Sequence, residues 1–368
     1  MSMTQKLSKR GAFLAASLVL GAALVGPSLS AQTVTTPPVG AVTLSAPANS
    51  DSLYSIPLAR DAIYTGIVSA VSGNTFTLSG ASFTANALQY VAGSQPNTYY
   101  LQFSTGSATG QFSTVVSNAS SSVTTEFEVD VLSQVSVGDQ VVLRPYWTLA
   151  TLFPSTAANV SFVPSTSNFP AGRRTEILFP DSVGVGINKS ASAIYFYNSF
   201  WRKSGDTTPN RNDVVIPPDQ FVIIRGNNSS TSTALTVVGS VQTYSNTVSL
   251  LRPATGSNDN PIALSVPVDV SLGNLNLISS GGPFLASTSN FPAGRGDEII
   301  VYNNASIGKN KSASAIYFYN SFWRKSGDTS ANQNNTTIPA GSAIIIRKKS
   351  SGASAVLDWR QPATVVSL

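Results

Sequence analysis

Residues 188–207, NKSASAIYFYNSFWRKSGDT, occur a second time without a change as residues 310–329. They lie in a longer match, in which residues 165–225 align with residues 287–347 without a gap and 39 of 61 positions are identical. Self-similarity at a fixed spacing is typical of a chain built from repeated structural units. We therefore predict two related modules in tandem in the second half of the chain.

The repeated stretch has the pattern of a strand followed by a turn. Ile194-Tyr195-Phe196-Tyr197 is rich in residues that favour strands, and Ser204-Gly205-Asp206 is typical of a turn. Successive side chains of a strand point to opposite faces. We expect Ile194 and Phe196 to face the core, and Tyr195 and Tyr197 to lie on a face that is partly wet.

The rest of the chain after residue 50 repeats this kind of pattern. Short segments with β-branched and aromatic residues alternate with Gly, Asn, Ser and Asp about every 8–12 residues. The segments around Ser72-Gly73-Asn74 predict a hairpin. The predicted fold class is all-β, with several β-sandwich or small-barrel modules, two of which form the internal tandem repeat.

Composition excludes several kinds of chemistry. The 368 residues contain no cysteine and no histidine, so there is no Ser-His-Asp or Cys-His nucleophile, no disulfide and no zinc site of the usual kind. Charged residues make up 11% of the chain, and Ser and Thr together number 89. With 42% hydrophobic residues, the chain has enough apolar side chains to build a core.

The first 31 residues have the pattern of an export signal. Lys6, Lys9 and Arg10 precede an apolar run over residues 11–26, and small residues end at Ala31. The run is shorter than the roughly 20 residues of a spanning helix. We predict cleavage and export to the periplasm, the cell surface or the medium, with no transmembrane span afterwards. Without the leader, the formal net charge falls from +5 to +2, which does not favour a nucleic-acid partner.

These patterns divide the chain into five parts. The predicted order is signal peptide 1–31, linker 32–50, N-terminal β module 51–150, first β repeat 151–256 and second β repeat 257–368.

A resemblance supports the same description. Residues 137–154, VGDQVVLRPYWTLATLFP, with residues 183–188, VGVGIN, resemble a family of exported, β-rich, repeat-containing bacterial proteins that has no assigned activity. The likeness implies export and an all-β structure. It transfers no catalytic or ligand-binding residue, and the second copy departs from it, because Ser306 replaces Gly184 and Lys309 replaces Ile187.

The aromatic and basic side chains of the identical stretch are the candidate ligand-binding residues. Aromatic rings stack on sugars, while Arg and Lys bind carboxylates, sulfates or phosphates. The alternative is that these rings form an aromatic corner of a β core, and burial of Trp201 and Trp323 would favour that alternative. The ten candidates are Tyr195, Tyr197, Trp201, Arg202, Lys203, Tyr317, Tyr319, Trp323, Arg324 and Lys325.

The expected function is that of an exported, non-enzymatic structural or adhesive protein. Its expected partners are copies of itself or a polysaccharide, and no cofactor or metal is predicted. One alternative is a pair of carbohydrate-binding modules that use the repeated Tyr/Trp/Arg stretch. A second is a polysaccharide-degrading enzyme, for which Glu176, Glu298, Asp206 and Asp328 are the carboxylates at equivalent positions. The Asn/Asp loop around Asp206 could also hold calcium, although no calcium-binding motif is present.

Overall fold

The computed structural model describes residues 38–155, 162–227, 231–278 and 282–363. The predicted export signal, residues 1–31, lies outside these ranges. Strands dominate the described residues, which confirms the predicted all-β fold class.

The described strands are as follows, in chain order: β1 Val39–Ala46, β2 Asp51–Tyr54, β3 Leu58–Ala59, β4 Tyr64–Ser72, β5 Thr75–Leu78, β6 Tyr99–Phe103, β7 Phe112–Asn118, β8 Ser122–Thr125, β9 Gln140–Pro145, β10 Trp147–Thr148, β11 Thr175–Phe179, β12 Ala193–Asn198, β13 Phe200–Lys203, β14 Val215–Ile216, β15 Val222–Gly226, β16 Thr233–Val241, β17 Thr247–Arg252, β18 Ser257–Ala263, β19 Val270–Ser271, β20 Glu298–Val301, β21 Ala315–Asn320, β22 Phe322–Lys325, β23 Thr337–Ile338, β24 Ala343–Lys349 and β25 Ala355–Arg360. The helices are short: α1 Val129–Leu132 and α2 Leu149–Leu152, with 3-10 turns at Pro170–Gly172, Leu272–Asn274 and Pro292–Gly294. Within the described residues, no helix has both the length and the apolar character needed to cross a membrane.

The first module, formed by the described residues of 38–59 and 146–242, contains a five-stranded antiparallel sheet. Its strand order is β13-β12-β11-β15-β2, and the strands β1, β16 and β3 form a second sheet. One hydrophobic cluster fills the module; it draws on β1, β2, α2 and the sheet around Ile177 and Trp201.

The second module, formed by the described residues of 247–361, repeats most of these pairings, although the pairing of β16 with β3 has no counterpart there. Its sheet runs β18-β24-β20-β21-β22, and β17 pairs with β25 as β1 pairs with β16. Registers also correspond: Glu176 lies opposite Phe196 and Arg225 in the first sheet, and Glu298 lies opposite Phe318 and Arg347 in the second. The second module has its own hydrophobic cluster.

A closed barrel lies between β3 and β10 in the sequence. Its six strands are ordered β4-β5-β8-β7-β6-β9, and a third hydrophobic cluster, which includes Phe76 and Phe103, fills it. The predicted hairpin is confirmed here, because Ser72 pairs with Thr75 across the turn. The chain enters and leaves the barrel at neighbouring points, since the Trp147 indole donates to the Leu58 carbonyl at 2.8 Å.

The structure divides the chain differently from the sequence-based boundaries. The predicted linker 32–50 contains β1, which pairs with β16 over eight residues. The predicted module 51–150 is also not one body, because β2 and β3 belong to the first module and the barrel occupies the remainder. Strand pairing between distant segments causes the difference, and alternation within one segment does not specify its partner.

Candidate functional site

The indole rings of the identical stretch lie inside the protein. Trp201 is 1% exposed and Trp323 is 2% exposed. Trp201 packs on Phe153 and Phe162 with ring centroids 5.7 and 5.1 Å apart. Neither indole can contact a sugar in this position, so the hypothesis of a Tyr/Trp binding face loses its main support.

The tyrosines and basic residues of the stretch are also occupied in structural roles. Tyr195 and Tyr197, and their equivalents Tyr317 and Tyr319, contact the module cores. Phe196 is buried as expected, but Tyr195 on the opposite face is buried as well, so burial is not limited to one face of the strand. Arg202 donates to the carbonyls of Asn198 and Thr207, and its guanidinium lies 3.7 Å from the Phe200 ring. Arg324 makes the same contacts in the second module. Lys203 and Lys325 are half-buried.

The exposed aromatic side chains lie just outside the identical stretch, in residues 165–173 and 287–295, which we call the Phe loops. Phe169 is 77% exposed and Phe291 is 78% exposed. Each phenylalanine is followed by a Pro-Ala pair that is also exposed. Water therefore surrounds two apolar loop tips of identical sequence, where burial would normally be favourable.

Each Phe loop is held in one conformation by hydrogen bonds. In the first, the Gly172 amide donates to the Phe169 carbonyl at 2.9 Å, and the Arg173 guanidinium donates to the Asn168 carbonyl at 3.1 and 3.2 Å. The identical stretch completes the support, because the Asn198 amide donates to the Asn168 side chain and Arg173 donates to the Ser204 hydroxyl, both at 2.8 Å.

The second Phe loop is supported in the same way. The Asn320 amide donates to the Asn290 side chain at 2.8 Å, and Arg295 donates to the Ser326 hydroxyl at 2.9 Å. Part of the repeated stretch thus has a shared task, which is to hold the adjoining loop.

The two modules hold each other through exchanged loops. In the first module, Arg225 and Asp51 form a bidentate ion pair at 2.7 and 2.9 Å. The Asp51 carboxylate also accepts a hydrogen bond from the Asn310 backbone amide of the second module. The pair between Arg347 and Asp259 in the second module, at 2.7 and 3.0 Å, accepts the Asn188 amide from the first. Bonding to these carboxylates raises the pKa of both Arg225 and Arg347.

A cleft of about 540 Å³ lies between the two five-stranded sheets, beside these exchanged loops. Its floor is mostly aliphatic and is continuous with a small core that joins the modules. The large apolar and aromatic residues of the lining are Leu53, Leu178, Phe221, Ile223, Ile300, Tyr302, Ile316 and Ile345. About half of the residues that line the cleft are polar or charged, and the cleft has the volume of a small-molecule site.

Two equivalent lysines line the cleft. The Lys189 ammonium donates to the Gly184 carbonyl at 2.6 Å, and the Lys311 ammonium donates to the carbonyls of Asn303 and Ser306 at 2.8 and 2.9 Å. Burial lowers the pKa of both lysines, while the nearby Asp181 carboxylate opposes the shift at Lys189. The residue equivalent to Asp181 is Asn303, and the carboxylate that opposes the shift at Lys311 is Asp51, which is already paired with Arg225.

Three of the four repeated carboxylates form ion pairs, and the fourth, Asp328, accepts a hydrogen bond from the Ser330 hydroxyl at 2.9 Å. Arg173 lies 3.6 Å from Glu176, and Arg295 lies 3.4 Å from Glu298. Asp206 pairs with Arg211 at 2.6 Å. Among the described residues, no group of three or more acidic side chains could hold a metal ion.

A second pocket, of about 480 Å³, lies where the barrel and both modules meet, and Glu126, Tyr146 and Asp219 are among its lining residues. Burial raises the pKa of Asp219 to about 6. The sequence offered no signal for this site, because Gly341 occupies the position equivalent to Asp219 in the second copy.

The sequence carried part of the signal for the Phe loops and none for the cleft. The identical residues 165–173 and 287–295 marked the loops, but identity alone does not reveal exposure. The cleft depends on the packing of two sheets whose strands are far apart in sequence.

Comparison with known proteins identified no relative of this chain. No protein-family model matches this chain, and no curated protein and no solved structure shows significant similarity to it.

Proposed function

We propose that the protein is an exported, non-enzymatic structural or adhesive protein that assembles with copies of itself through its two Phe loops. The observation that carries this proposal is the pair of phenylalanines, 77% and 78% exposed, on loops of identical sequence that are supported by equivalent asparagine and arginine hydrogen bonds. A rigid exposed aromatic group is a typical anchor of a protein interface, because it buries a large apolar area at little cost in conformational entropy.

A second copy of the chain is the partner that the duplication favours. A symmetric contact uses the same surface on both partners. Each chain carries that surface twice, so contacts between Phe loops would link one chain to two neighbours and extend into a polymer. The low charge of the chain, 22 basic and 17 acidic residues, leaves little repulsion to oppose such contacts.

Sedimentation velocity over a range of protein concentrations tests the proposal. We expect the unchanged protein to form species larger than a dimer as the concentration rises. Phe169→Ser or Phe291→Ser alone should stop assembly at the dimer, because one loop remains, and the double variant should stay monomeric. Val129→Ser, at an 80% exposed valine of the barrel, is the matched control and should assemble normally.

Two results would contradict the proposal. One is an unchanged protein that stays monomeric at every concentration. The other is a double variant that assembles as well as the unchanged protein. A glycan array that binds the unchanged protein and not the double variant would instead favour the carbohydrate-binding alternative.

Export is the second part of the proposal, and it rests on the leader sequence. Cleavage after Ala31 would leave Gln32 as the first residue of the mature protein. N-terminal sequencing of protein recovered from outside the cytoplasm tests this. An intact Met1 on that protein would contradict cleavage.

A further inference from the structure

The cleft between the two modules has a charge imbalance that can be assigned to one side chain. Its lining contains the basic residues Lys189, Arg225, Lys311 and Arg347, and the acidic residues Asp51, Asp181 and Asp259. The two arginines are each paired with an aspartate at 2.7 Å. Lys189 has Asp181 near it, whereas the carboxylate that acts on Lys311 is Asp51, which is already paired with Arg225. Lys311 is therefore the cation that has no carboxylate of its own in this lining.

The donors of Lys311 are not all used. An ammonium group has three N–H donors, and two of those on Lys311 bond to the carbonyls of Asn303 and Ser306. The side chain lines the cleft, where the neighbouring apolar floor lowers the local dielectric constant and strengthens an interaction with an anion.

The residues of the cleft floor indicate the chemical class of the rest of the ligand. Six of the eight large apolar and aromatic residues of the lining are leucine or isoleucine, and the other two are Phe221 and Tyr302. Aliphatic walls of this kind favour a hydrocarbon chain, while sugar rings are usually bound by flat aromatic surfaces.

We propose that this cleft binds a monoanionic amphiphile, such as a fatty carboxylate, with the anion on Lys311 and the aliphatic chain on the floor formed by the two sheets. The site is separate from the Phe loops, so the proposal does not depend on self-assembly.

Isothermal titration calorimetry with decanoate tests the proposal on the full-length mature protein. We expect decanoate to bind, acetate not to bind because it lacks the chain, and decyltrimethylammonium to bind at least 10-fold more weakly because its charge is reversed. This comparison requires no variant. Equal binding of decanoate and decyltrimethylammonium, or no binding of decanoate, would overturn the proposal.

Variants of the two lysines and of Asn303 test where the anion of the ligand binds. Lys311→Gln should weaken decanoate binding at least 10-fold, while the equivalent change Lys189→Gln should weaken it less than 3-fold. Asn303→Asp gives the second module a carboxylate at the position equivalent to Asp181 of the first. The substitution keeps the side-chain oxygen that accepts a backbone hydrogen bond in this turn. Asn303 accepts from the Ala305 amide at 2.9 Å, and Asp181 accepts from the Gly184 amide at 2.8 Å.

We expect Asn303→Asp to lower decanoate affinity about as much as Lys311→Gln, without a change in melting temperature. Unchanged affinity in both variants, or an equal loss in Lys189→Gln, would assign the anion elsewhere and overturn the proposal. Phe169→Ser/Phe291→Ser should bind decanoate normally, so failure of self-assembly and failure of this site give different results.

Discussion

At the scale of single residues, Arg225 and Arg347 help to join the two modules. Each guanidinium bonds an aspartate that also accepts a backbone amide from the other module. The side chains of Asp51 and Asp259 are only 7% and 6% exposed. Removing one guanidinium would leave a carboxylate nearly buried without its counter-charge, which costs more than the pair itself contributes.

We predict that Arg347→Met lowers the free energy of unfolding by about 3 kcal/mol, and that Arg225→Met has a similar effect. Urea denaturation measures both. The control is Lys325→Met, because Lys325 forms no ion pair within the described residues, and it should change stability little. An Arg347→Met protein as stable as this control would contradict the role of the ion pair.

A second prediction concerns Asp219. Its pKa is about 6 in the folded protein because of burial, compared with an ordinary value of 3.8. The folded state therefore binds more protons than the unfolded state between these values, so the free energy of unfolding falls as pH rises from 4 to 6. Asp219→Asn removes this dependence.

Unfolding measured in urea at several pH values checks the prediction. We expect Asp219→Asn to match the unchanged protein near pH 4 and to be more stable at pH 7. An equal difference between the two proteins at every pH would contradict it.

Side-chain burial marks the limit of sequence reasoning about the candidate site. The alternation of Tyr195 and Phe196 on opposite faces follows from strand geometry. Which face meets the core does not follow, because β1 and β16 cover the tyrosine face and come from distant parts of the chain. The sequence therefore left open whether Trp201 and Trp323 lie on a binding face or in an aromatic corner of the core, and the structure places both in the core.

At the scale of elements, the connection between β6 and β7 fixes the barrel against the second module. The Thr247 amide donates to the Gly110 carbonyl, and the side chain of Gln102 bonds the side chains of Asn246 and Gln242. Gly110 has a φ of +86°, and a Cβ there would lie 2.6 Å from the Ser245 carbonyl oxygen and the Thr247 nitrogen. Close packing and backbone conformation both require glycine.

Gly110→Ala is therefore expected to cost more than the same change at Gly80, which also has a positive φ but open space around it. Gly80→Ala carries only the conformational penalty, about 1–2 kcal/mol. Gly110→Ala adds a clash with backbone, about 1–3 kcal/mol more. Thermal unfolding of the two variants gives the comparison, and equal costs would contradict it.

Local elements were the most predictable part of the fold. The hairpin at Gly73 and Asn74 followed from its turn residues, since both strands and the turn lie within 15 residues. The edge strands β2 and β18 were not predictable in the same way. Each pairs with a strand of its own module on one side and accepts an exchanged loop on the other.

At the scale of the whole molecule, the barrel is an insertion in the first module. Its ends are close together, as the contact between Trp147 and Leu58 shows, and its core is its own. The all-β class could be predicted from composition and alternation. The insertion could not, because a continuous series of strands gives no sign that the chain leaves one module and later returns to it.

We predict that residues 60–146 fold alone. Closure of the barrel leaves no open sheet edge, and its hydrophobic cluster includes no residue from either module. Circular dichroism should show a cooperative thermal transition of the isolated fragment. A gradual, non-cooperative melt would mean that the barrel depends on its contacts with the modules.

The insertion also sets the order in which a growing chain can fold. β1 pairs with β16, about 200 residues later, so its loop closes slowly in comparison with local contacts. Because β16 follows the barrel in the sequence, β1 has no partner strand while the barrel is being synthesised. The barrel can therefore be completed before the first module closes. The first of the described strands to be synthesised can therefore complete its pairing only after the whole barrel has been made.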